Sequence, residues 1–373
     1  MRLLSLRALG IFWVVVLALI GGGAGVLAWL GPPPGPAAPA AEAAPAPVAQ
    51  DSAQASAPAV PPPAAAAPPA APVPPPAPPP AAAAAPPVAP PPPPLAEPAA
   101  RRVAADPVIA PPDPALLAPS THGPVPRLGP ESRSAIRTYA RAFDREDRRP
   151  RIAIVIGGMG LNGQHSEEAI RRLPGGVTLA FSPYAQRPEA LLDRARAKGM
   201  ELLTALPLEP AGFGSRADPG DRALLTGLTI GDNLDRLDWA LSRIQGQVGA
   251  IGAEGGMRGE RFAGNPELLG TLQATLTNRG LLYIDPRPGA PPPARAFGRS
   301  ADVVLDEPPT RGEVERRLAD LEGLARQNGS ALGYAGDPVP SVVAAIAAWS
   351  AGLEARGAVI APVTAVIRRP TER

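Results

Sequence analysis

The pattern of apolar and polar positions divides the chain into three parts. Residues 8–30 form an uncharged, largely apolar run directly after Arg2 and Arg7. Residues 31–125 consist mostly of Ala and Pro, and from residue 126 onward short apolar runs alternate with amphipathic segments. We therefore divide the chain at 1–30, 31–125 and 126–373.

Short apolar runs in the last part are typical of buried strands, and the segments between several of them have helical spacing. Strands are expected at Ile152–Ile156, Val177–Phe181, Glu201–Leu206, Val248–Ala253, Leu282–Asp285, Asp302–Leu305, Ala331–Ala335 and Ala358–Val363. Helices are expected at Ser132–Phe143, after a cap at Asp232 or Asn233, from Asn265-Pro266 to Gly280, at Glu313–Gln327 and at Ser341–Glu354.

Apolar strands that alternate with helices predict a parallel sheet covered on both faces. Seven or eight such units in about 250 residues match a barrel of eight parallel strands and helices. The predicted fold class is therefore α/β, a distorted (β/α)7-8 barrel preceded by one transmembrane helix and a disordered Pro/Ala-rich linker.

The apolar run at residues 8–30 is long enough to cross a bilayer as a helix. Positive charge before the run predicts that the N-terminus stays in the cytoplasm and the remainder is exported. A cleaved signal peptide is the alternative, because Val26-Leu27-Ala28 resembles a cleavage site.

Residues 31–125 are predicted to be a disordered linker. Between positions 31 and 120 lie 33 of the 55 prolines, with too few large apolar side chains to offset the entropy of folding. An extended tether and a Pro-rich docking segment for a partner both fit this composition.

Composition excludes several classes of function. The net charge is +2, Lys198 is the single lysine, and no basic cluster is interleaved with aromatic residues, so a nucleic-acid partner is not expected. The absence of cysteine excludes disulfides, thiolate nucleophiles and cysteine-ligated zinc.

A glycine-rich loop follows the first predicted strand and contains GxGxxG from Gly158 to Gly163. A dinucleotide-binding fold needs an acidic residue at the end of the next strand. That strand ends in Phe181–Tyr184 without one, which favours a barrel loop over a nucleotide site.

A series of segments in residues 135–368 follows the order and spacing of a known family. These segments are Ile152–Gly160, Leu173-Pro174, Thr178–Tyr184, Glu201–Leu203, Leu206–Pro210, Gly259–Phe262, Asp285–Arg287, Asp302–Asp306, Gly336–Pro338 and Pro362-Val363. The series resembles the divergent polysaccharide deacetylases. The resemblance implies a distorted barrel in the bacterial envelope and metal-dependent deacetylation of glycans. With the N-terminal run, it predicts a single-pass inner-membrane protein whose C-terminal domain is periplasmic.

The departures from that family concern its metal and catalytic positions. Two aspartates of its first motif are replaced by Gly157 and Gly158, and histidines of three further motifs by Met200, Ala205 and Met257. A fourth histidine, of its Gly-His-Pro motif, is replaced by Asp337. The divalent metal that the family implies therefore lacks its ligands, and we expect no cofactor and a pseudoenzyme. Of the two histidines in the chain, His165 is expected at a solvated helix start and His122 at the end of the linker.

Polar residues remain at predicted strand ends and have two interpretations. They bind sugar hydroxyls or an oxygen-ligated cation, or they form ion pairs along the rim, Asp285 with Arg287 or Arg261, with Asp306 capping a helix. Glu254 and Glu260 also lie at predicted strand ends but are not among the candidate ligand-binding residues. The candidate ligand-binding residues are Glu209, Arg261, Asp285, Arg287, Asp306 and Asp337, with Glu209 foremost.

Three functions remain open from the sequence. The first is a membrane-anchored, degenerate deacetylase-like protein that binds an envelope glycan or a periplasmic protein. The second is an active hydrolase that deacetylates envelope carbohydrate through the remaining carboxylates. The third is an envelope scaffold whose working parts are the anchor and the Pro-rich arm.

Overall fold

A computed structural model describes residues 107–371 of the chain. The predicted transmembrane helix and most of the predicted linker lie outside these described residues. No helix within residues 107–371 combines the length and the apolar character that a membrane crossing needs.

The centre of the described part is an α/β half-barrel of parallel strands. Two short strands, β1 (Leu117–Ala118) and β2 (Val125–Pro126), pair antiparallel before it. The half-barrel strands are β3 (Arg151–Met159), β4 (Thr178–Phe181), β5 (Leu202–Ala205), β6 (Gly249–Ile251), β7 (Leu282–Asp285), β8 (Gly298–Ser300), β9 (Val303–Val304), β10 (Ser330–Ala335) and β11 (Val359–Ile360).

The sheet order is β8-β7-β6-β5-β4-β3-β10-β9, with β11 also pairing with β3. The two ends of this order, β8 and β9, follow each other in the chain but do not pair, so the ladder is open there. All eight predicted strands are confirmed, several of them shorter than expected. The ninth, β8, was not predicted because Gly298, Arg299 and Ser300 form no apolar run.

Helices cover the sheet at the five predicted places, two of them with corrections, and at three further places that were not predicted. They are α1 (Ala135–Thr138), α2 (Gly163–Arg172), α3 (Glu189–Ala197), α4 (Ile230–Arg243), α5 (Glu260–Ala263), α6 (Pro266–Asn278), α7 (Arg311–Asn328) and α8 (Pro340–Ala351).

The predicted helix Ser132–Phe143 is wrong in length, since only α1 forms within it. The backbone N–H of Ile136 donates to the carbonyl of Gly280 at 3.2 Å, so this segment takes a partner outside itself. The predicted cap of α4 is also wrong: the Thr229 hydroxyl accepts from the N–H of Asp232, and the helix begins at Ile230.

The predicted start of α6 is confirmed. The side chain of Asn265 accepts hydrogen bonds from the N–H groups of Glu267 and Leu268, and Pro266 occupies the first turn. Proline suits this position because its missing N–H would have no helical partner there. After the helix, Gly280 takes the left-handed backbone that ends it, with φ of 75°.

Part of the segment that the sequence assigns to the linker packs on the half-barrel. Leu116 is only 1% exposed and belongs to the apolar core. The N–H of Ile109 donates to the carbonyl of Arg196 at 3.0 Å, and that of Asp113 to the Tyr139 hydroxyl at 2.7 Å. The folded part therefore begins before the predicted boundary at 126.

Side chains on both faces of the sheet are buried, as expected for parallel strands under helices. Along β3, Ile152, Ile154 and Ile156 pack in one apolar cluster, and the alternating Ala153 and Val155 pack in the other. Because the strands run parallel, their C-terminal ends and the loops that follow gather at one edge. That edge holds the candidate site.

Candidate functional site

Two glycines end β3 where the site begins. A Cβ on Gly157 would lie 2.6 Å from the carbonyl oxygen of Gly336 and 2.7 Å from the hydroxyl of Tyr334. Gly158 has φ of 63°, and a Cβ there would overlap Oδ1 of Asp337. The space beside both glycines is therefore filled by residues at the end of β10.

Tyr334 braces the loop that follows β6. Its hydroxyl donates to the carbonyl of Gly255 at 2.6 Å. Glu254 and Met257 close this loop into a turn with backbone hydrogen bonds of 3.0 and 3.1 Å. Because Tyr334 is 1% exposed, it holds this loop from within the core.

The ends of β6 and β10 are in direct contact at this point. A Cβ on Gly336 would lie 2.8 Å from the backbone nitrogen of Gly256, and one on Gly255 would lie 3.6 and 3.7 Å from the two carboxylate oxygens of Asp337. This packing brings Glu254 and Asp337 to the same point of the rim. We call these two residues the acidic pair.

Glu254 is the buried member of the acidic pair. Its side chain is 5% exposed, and neither carboxylate oxygen has a hydrogen-bond partner in the described structure. Burial raises its pKa to about 7, and the charge of Asp337 acts in the same direction. The Ser182 hydroxyl is near enough to oppose this shift, although it makes no hydrogen bond of normal geometry.

Asp337 is the exposed member of the acidic pair. Partial burial raises its pKa, and no cation within residues 107–371 forms an ion pair with it. Below it, Oδ2 of Asp306 accepts the N–H of Gly336 at 2.7 Å and that of Asp337 at 3.3 Å. Burial raises the pKa of Asp306 as well.

Asp306 therefore holds the backbone after β10 in place. The expectation that it caps the next helix is wrong, because Thr310 occupies the N-cap position of α7. A third carboxylate thus lies next to the acidic pair, with one of its oxygens already engaged by two backbone N–H groups.

Arg258 is a cation of the same loop, and other carboxylates engage it. It forms an ion pair with Glu307, and its Nε lies 3.6 Å from Glu260. Its charge lowers the pKa of Tyr334, while burial and three nearby carboxylates raise that pKa far more.

Glu209, the foremost candidate from the sequence, is buried and fully engaged. One oxygen lies 3.1 Å from Nε of Arg261, and the other accepts the N–H and the hydroxyl of Thr226 at 2.5 and 2.6 Å. Arg261 itself is 60% exposed, so this pair sits at the surface of the rim.

Asp285 and Arg287 form the ion pair that the structural interpretation predicts. Oδ1 of Asp285 accepts the backbone N–H and Nε–H of Arg287, and Oδ2 accepts from Nη2 at 2.7 Å. Arg261 does not take part, since it pairs with Glu209. The six candidates thus fall into three groups: Glu209 with Arg261, Asp285 with Arg287, and Asp306 with Asp337.

Glu254, which is not among the six candidates, is the most unusual member of the site because it is buried without a hydrogen-bond partner. The sequence offers one signal for it: an acid directly after a short buried strand and before Gly255-Gly256. The two histidines are elsewhere in the described structure. His122 pairs with Asp235 at 2.9 Å, and His165 lies in the first turn of α2.

Comparison with known proteins identifies the family. The sequence model of the divergent polysaccharide deacetylases matches residues 154–367, more than half of the chain. The chain belongs to the divergent polysaccharide deacetylase family. An uncharacterized protein of Haemophilus influenzae is 26% identical over 205 residues, which cover 53% of this chain and 70% of that protein.

Solved structures extend the comparison. The crystal structure of the uncharacterized protein ATU2773 from Agrobacterium tumefaciens is 34% identical, with a TM-score of 0.59, and covers 65% of this chain and 99% of that one. The catalytic domain of a peptidoglycan N-acetylglucosamine deacetylase from Eubacterium rectale is 12% identical, with a TM-score of 0.41, and covers 60% and 93%.

The family implies a divalent metal, and the donors at this site do not fit one. A hydrolytic zinc site needs about three protein ligands and an open position. Here Gly157 and Gly158 offer no side chain, and among residues 107–371 no three His, Cys, Asp or Glu side chains are grouped to hold an ion. Ala205 is buried in the apolar core, and Met257 takes part in the Glu254 turn through its backbone.

The expectation that Met200 replaces a metal-ligating histidine requires a correction. It lies two residues before β5, at the N-terminal end of that strand, and packs in an apolar cluster. The site is at the C-terminal ends of the strands. A histidine at position 200 would therefore lie at the other end of the half-barrel, and Met200 says nothing about metal binding.

Proposed function

We propose that this member of the divergent polysaccharide deacetylase family has lost metal-dependent deacetylation and acts by binding. The proposed ligand is an envelope glycan, and a periplasmic protein is the alternative. The observation that supports this most strongly is the packing at Gly157 and Gly158. The positions of the family's two aspartates are filled by the Tyr334 hydroxyl, the Gly336 carbonyl and the Asp337 carboxylate.

A metal-binding measurement tests this proposal. The full-length protein is dialysed against zinc and then against buffer, and its metal content is determined. We expect no zinc to be retained at the strand-end site. His122→Ala is the matched control, because an ion lost in that variant belongs to the exposed pair with Asp235. Stoichiometric zinc retained by both proteins would contradict the proposal.

A second function has one observation in its favour. Burial keeps Glu254 partly protonated at neutral pH, as a general acid requires, and a second carboxylate lies beside it. In this alternative the chain hydrolyses acylated envelope carbohydrate. Asp337 takes a proton from the attacking water and Glu254 gives one to the leaving group. Acetate release from an acetylated glycan that is lost in both Glu254→Gln and Asp337→Asn would establish it.

The location remains a proposal from the sequence. We propose that residues 8–30 anchor the chain in the inner membrane and that the Pro/Ala-rich segment sets the reach of a periplasmic domain. A scaffold function for residues 1–125 alone is the alternative. A strain that expresses residues 1–125 without the half-barrel separates the two, because a scaffold arm would retain the wild-type phenotype and a tether would lose it.

A further inference from the structure

We propose that the acidic pair, Glu254 and Asp337, binds a primary ammonium group, and that the ligand is an amino sugar whose nitrogen carries no acetyl group. The sugar part of this inference rests on the proposed glycan-binding function. The ammonium part rests on the chemistry of the two side chains.

Glu254 is a buried carboxyl group that lacks a partner. Buried polar groups are hydrogen-bonded in nearly all proteins, because leaving one unpaired costs about 1–3 kcal/mol. Neither oxygen of Glu254 has a partner in the described structure, and its side chain is 5% exposed. It lies close enough to the exposed Asp337 for the charge of Asp337 to raise its pKa.

No cation of the described structure neutralises the acidic pair. Arg258 pairs with Glu307 and Glu260, Arg261 with Glu209, and Arg287 with Asp285. Each guanidinium near the rim thus has its own carboxylate. Glu254 and Asp337 form no ion pair with a cation of the described structure, so a positive charge beside them would be supplied by a ligand.

The donors around the acidic pair fit an ammonium better than a divalent ion. An ammonium is a compact charge with three N–H donors and needs three acceptors in no fixed coordination geometry. Two carboxylates and the nearby Ser182 hydroxyl supply acceptors of this kind.

An N-acetylated sugar does not satisfy this arrangement. Its amide nitrogen is neutral and donates one hydrogen bond, so two facing carboxylates would remain without a counter-charge. Its acetyl group would also need space beside Gly157 and Gly158, which Tyr334 and Asp337 already fill. The site therefore selects the free amine over the acetylated amine.

Calorimetric titration of the full-length protein at neutral pH and low salt tests the inference. The probes are the tetramer of glucosamine, the tetramer of N-acetylglucosamine, and spermidine as an amine without a sugar. We expect the glucosamine tetramer to bind about tenfold or more tightly than the other two, since hydrogen bonds to charged groups are worth about 1.5–3 kcal/mol each.

Three variants assign the binding to this site. Glu254→Gln and Asp337→Asn keep the shapes of the side chains and should each weaken binding of the glucosamine tetramer about tenfold. Asp337 is exposed, so its variant reports on binding even if the Glu254 variant does not fold. Glu354→Gln, at a side chain that is 68% exposed, is the control and should bind as the wild type does.

The outcomes separate this inference from the proposed function. If the N-acetylated tetramer binds as well as the glucosamine tetramer, or if Asp337→Asn leaves binding unchanged, the ammonium site is refuted while glycan binding stands. Spermidine binding as tightly as the glucosamine tetramer refutes the amino sugar as the ligand. If neither tetramer binds, the inference and the glycan-binding function fail together.

Discussion

The buried carboxyl group of Glu254 makes the free energy of unfolding depend on pH, and Glu254→Gln removes this contribution. Burial raises its pKa from 4.5 to about 7, so the folded chain holds this proton at pH values where the unfolded chain has released it. Stability from the protonated group is fully present below pH 4.5 and is lost as the pH rises through 7.

The size of this effect follows from the shift of the pKa. One unit corresponds to 1.36 kcal/mol, so a rise from 4.5 to about 7 makes the wild type about 3 kcal/mol less stable at pH 8 than at pH 4 through Glu254 alone. Glutamine keeps the shape and does not titrate. The free energy of unfolding of Glu254→Gln, relative to the wild type, should therefore rise by about 3 kcal/mol over this range.

Urea unfolding of the full-length protein at pH 4, 5, 6, 7 and 8 measures this difference. Glu201, whose pKa burial also raises to about 7, is present in both proteins, so its share cancels. Glu354→Gln controls for the loss of a carboxylate at an exposed position. A difference between Glu254→Gln and the wild type that stays constant with pH would refute the assignment of Glu254 as a buried, unpaired acid.

Three further predictions concern packing and ion pairs, and all are measured by urea unfolding. Gly157→Ala should cost about 1–3 kcal/mol because its Cβ meets the Gly336 carbonyl, whereas Gly163→Ala, with open space around it, should be neutral or stabilising. Leu116→Ala should lower the free energy of unfolding by about 2–5 kcal/mol, and an unchanged stability would contradict the packing of this segment on the half-barrel. Glu209→Ala should cost about 1–3 kcal/mol through its lost hydrogen bonds with Thr226, and Arg261→Ala under about 1 kcal/mol because its guanidinium is exposed; equal costs would contradict this account.

The elements that the sequence predicts well are those whose signals are local. Strand β3 is an uninterrupted apolar run, and α6 has its cap, its proline and its closing glycine in sequence. The elements that it misses depend on distant partners. The segment around α1 donates a hydrogen bond from Ile136 to the carbonyl of Gly280, and β8 forms because it pairs with β7.

The candidate site shows the same limit. Sequence reasoning finds the strand-end acids, because topology brings the ends of parallel strands to one edge. It cannot tell Glu254, which is buried without a partner, from Glu209, which is buried with Arg261 and Thr226. That distinction depends on contacts between residues far apart in the chain.

Zinc-dependent release of acetate tests the central claim most directly. The full-length protein is incubated with the N-acetylglucosamine tetramer and zinc, with and without a chelator, and acetate is measured against the Asp337→Asn variant. The account predicts no chelator-sensitive acetate release from either protein. Release by the wild type that requires zinc and stops with the chelator would show that metal-dependent deacetylation survives in this chain.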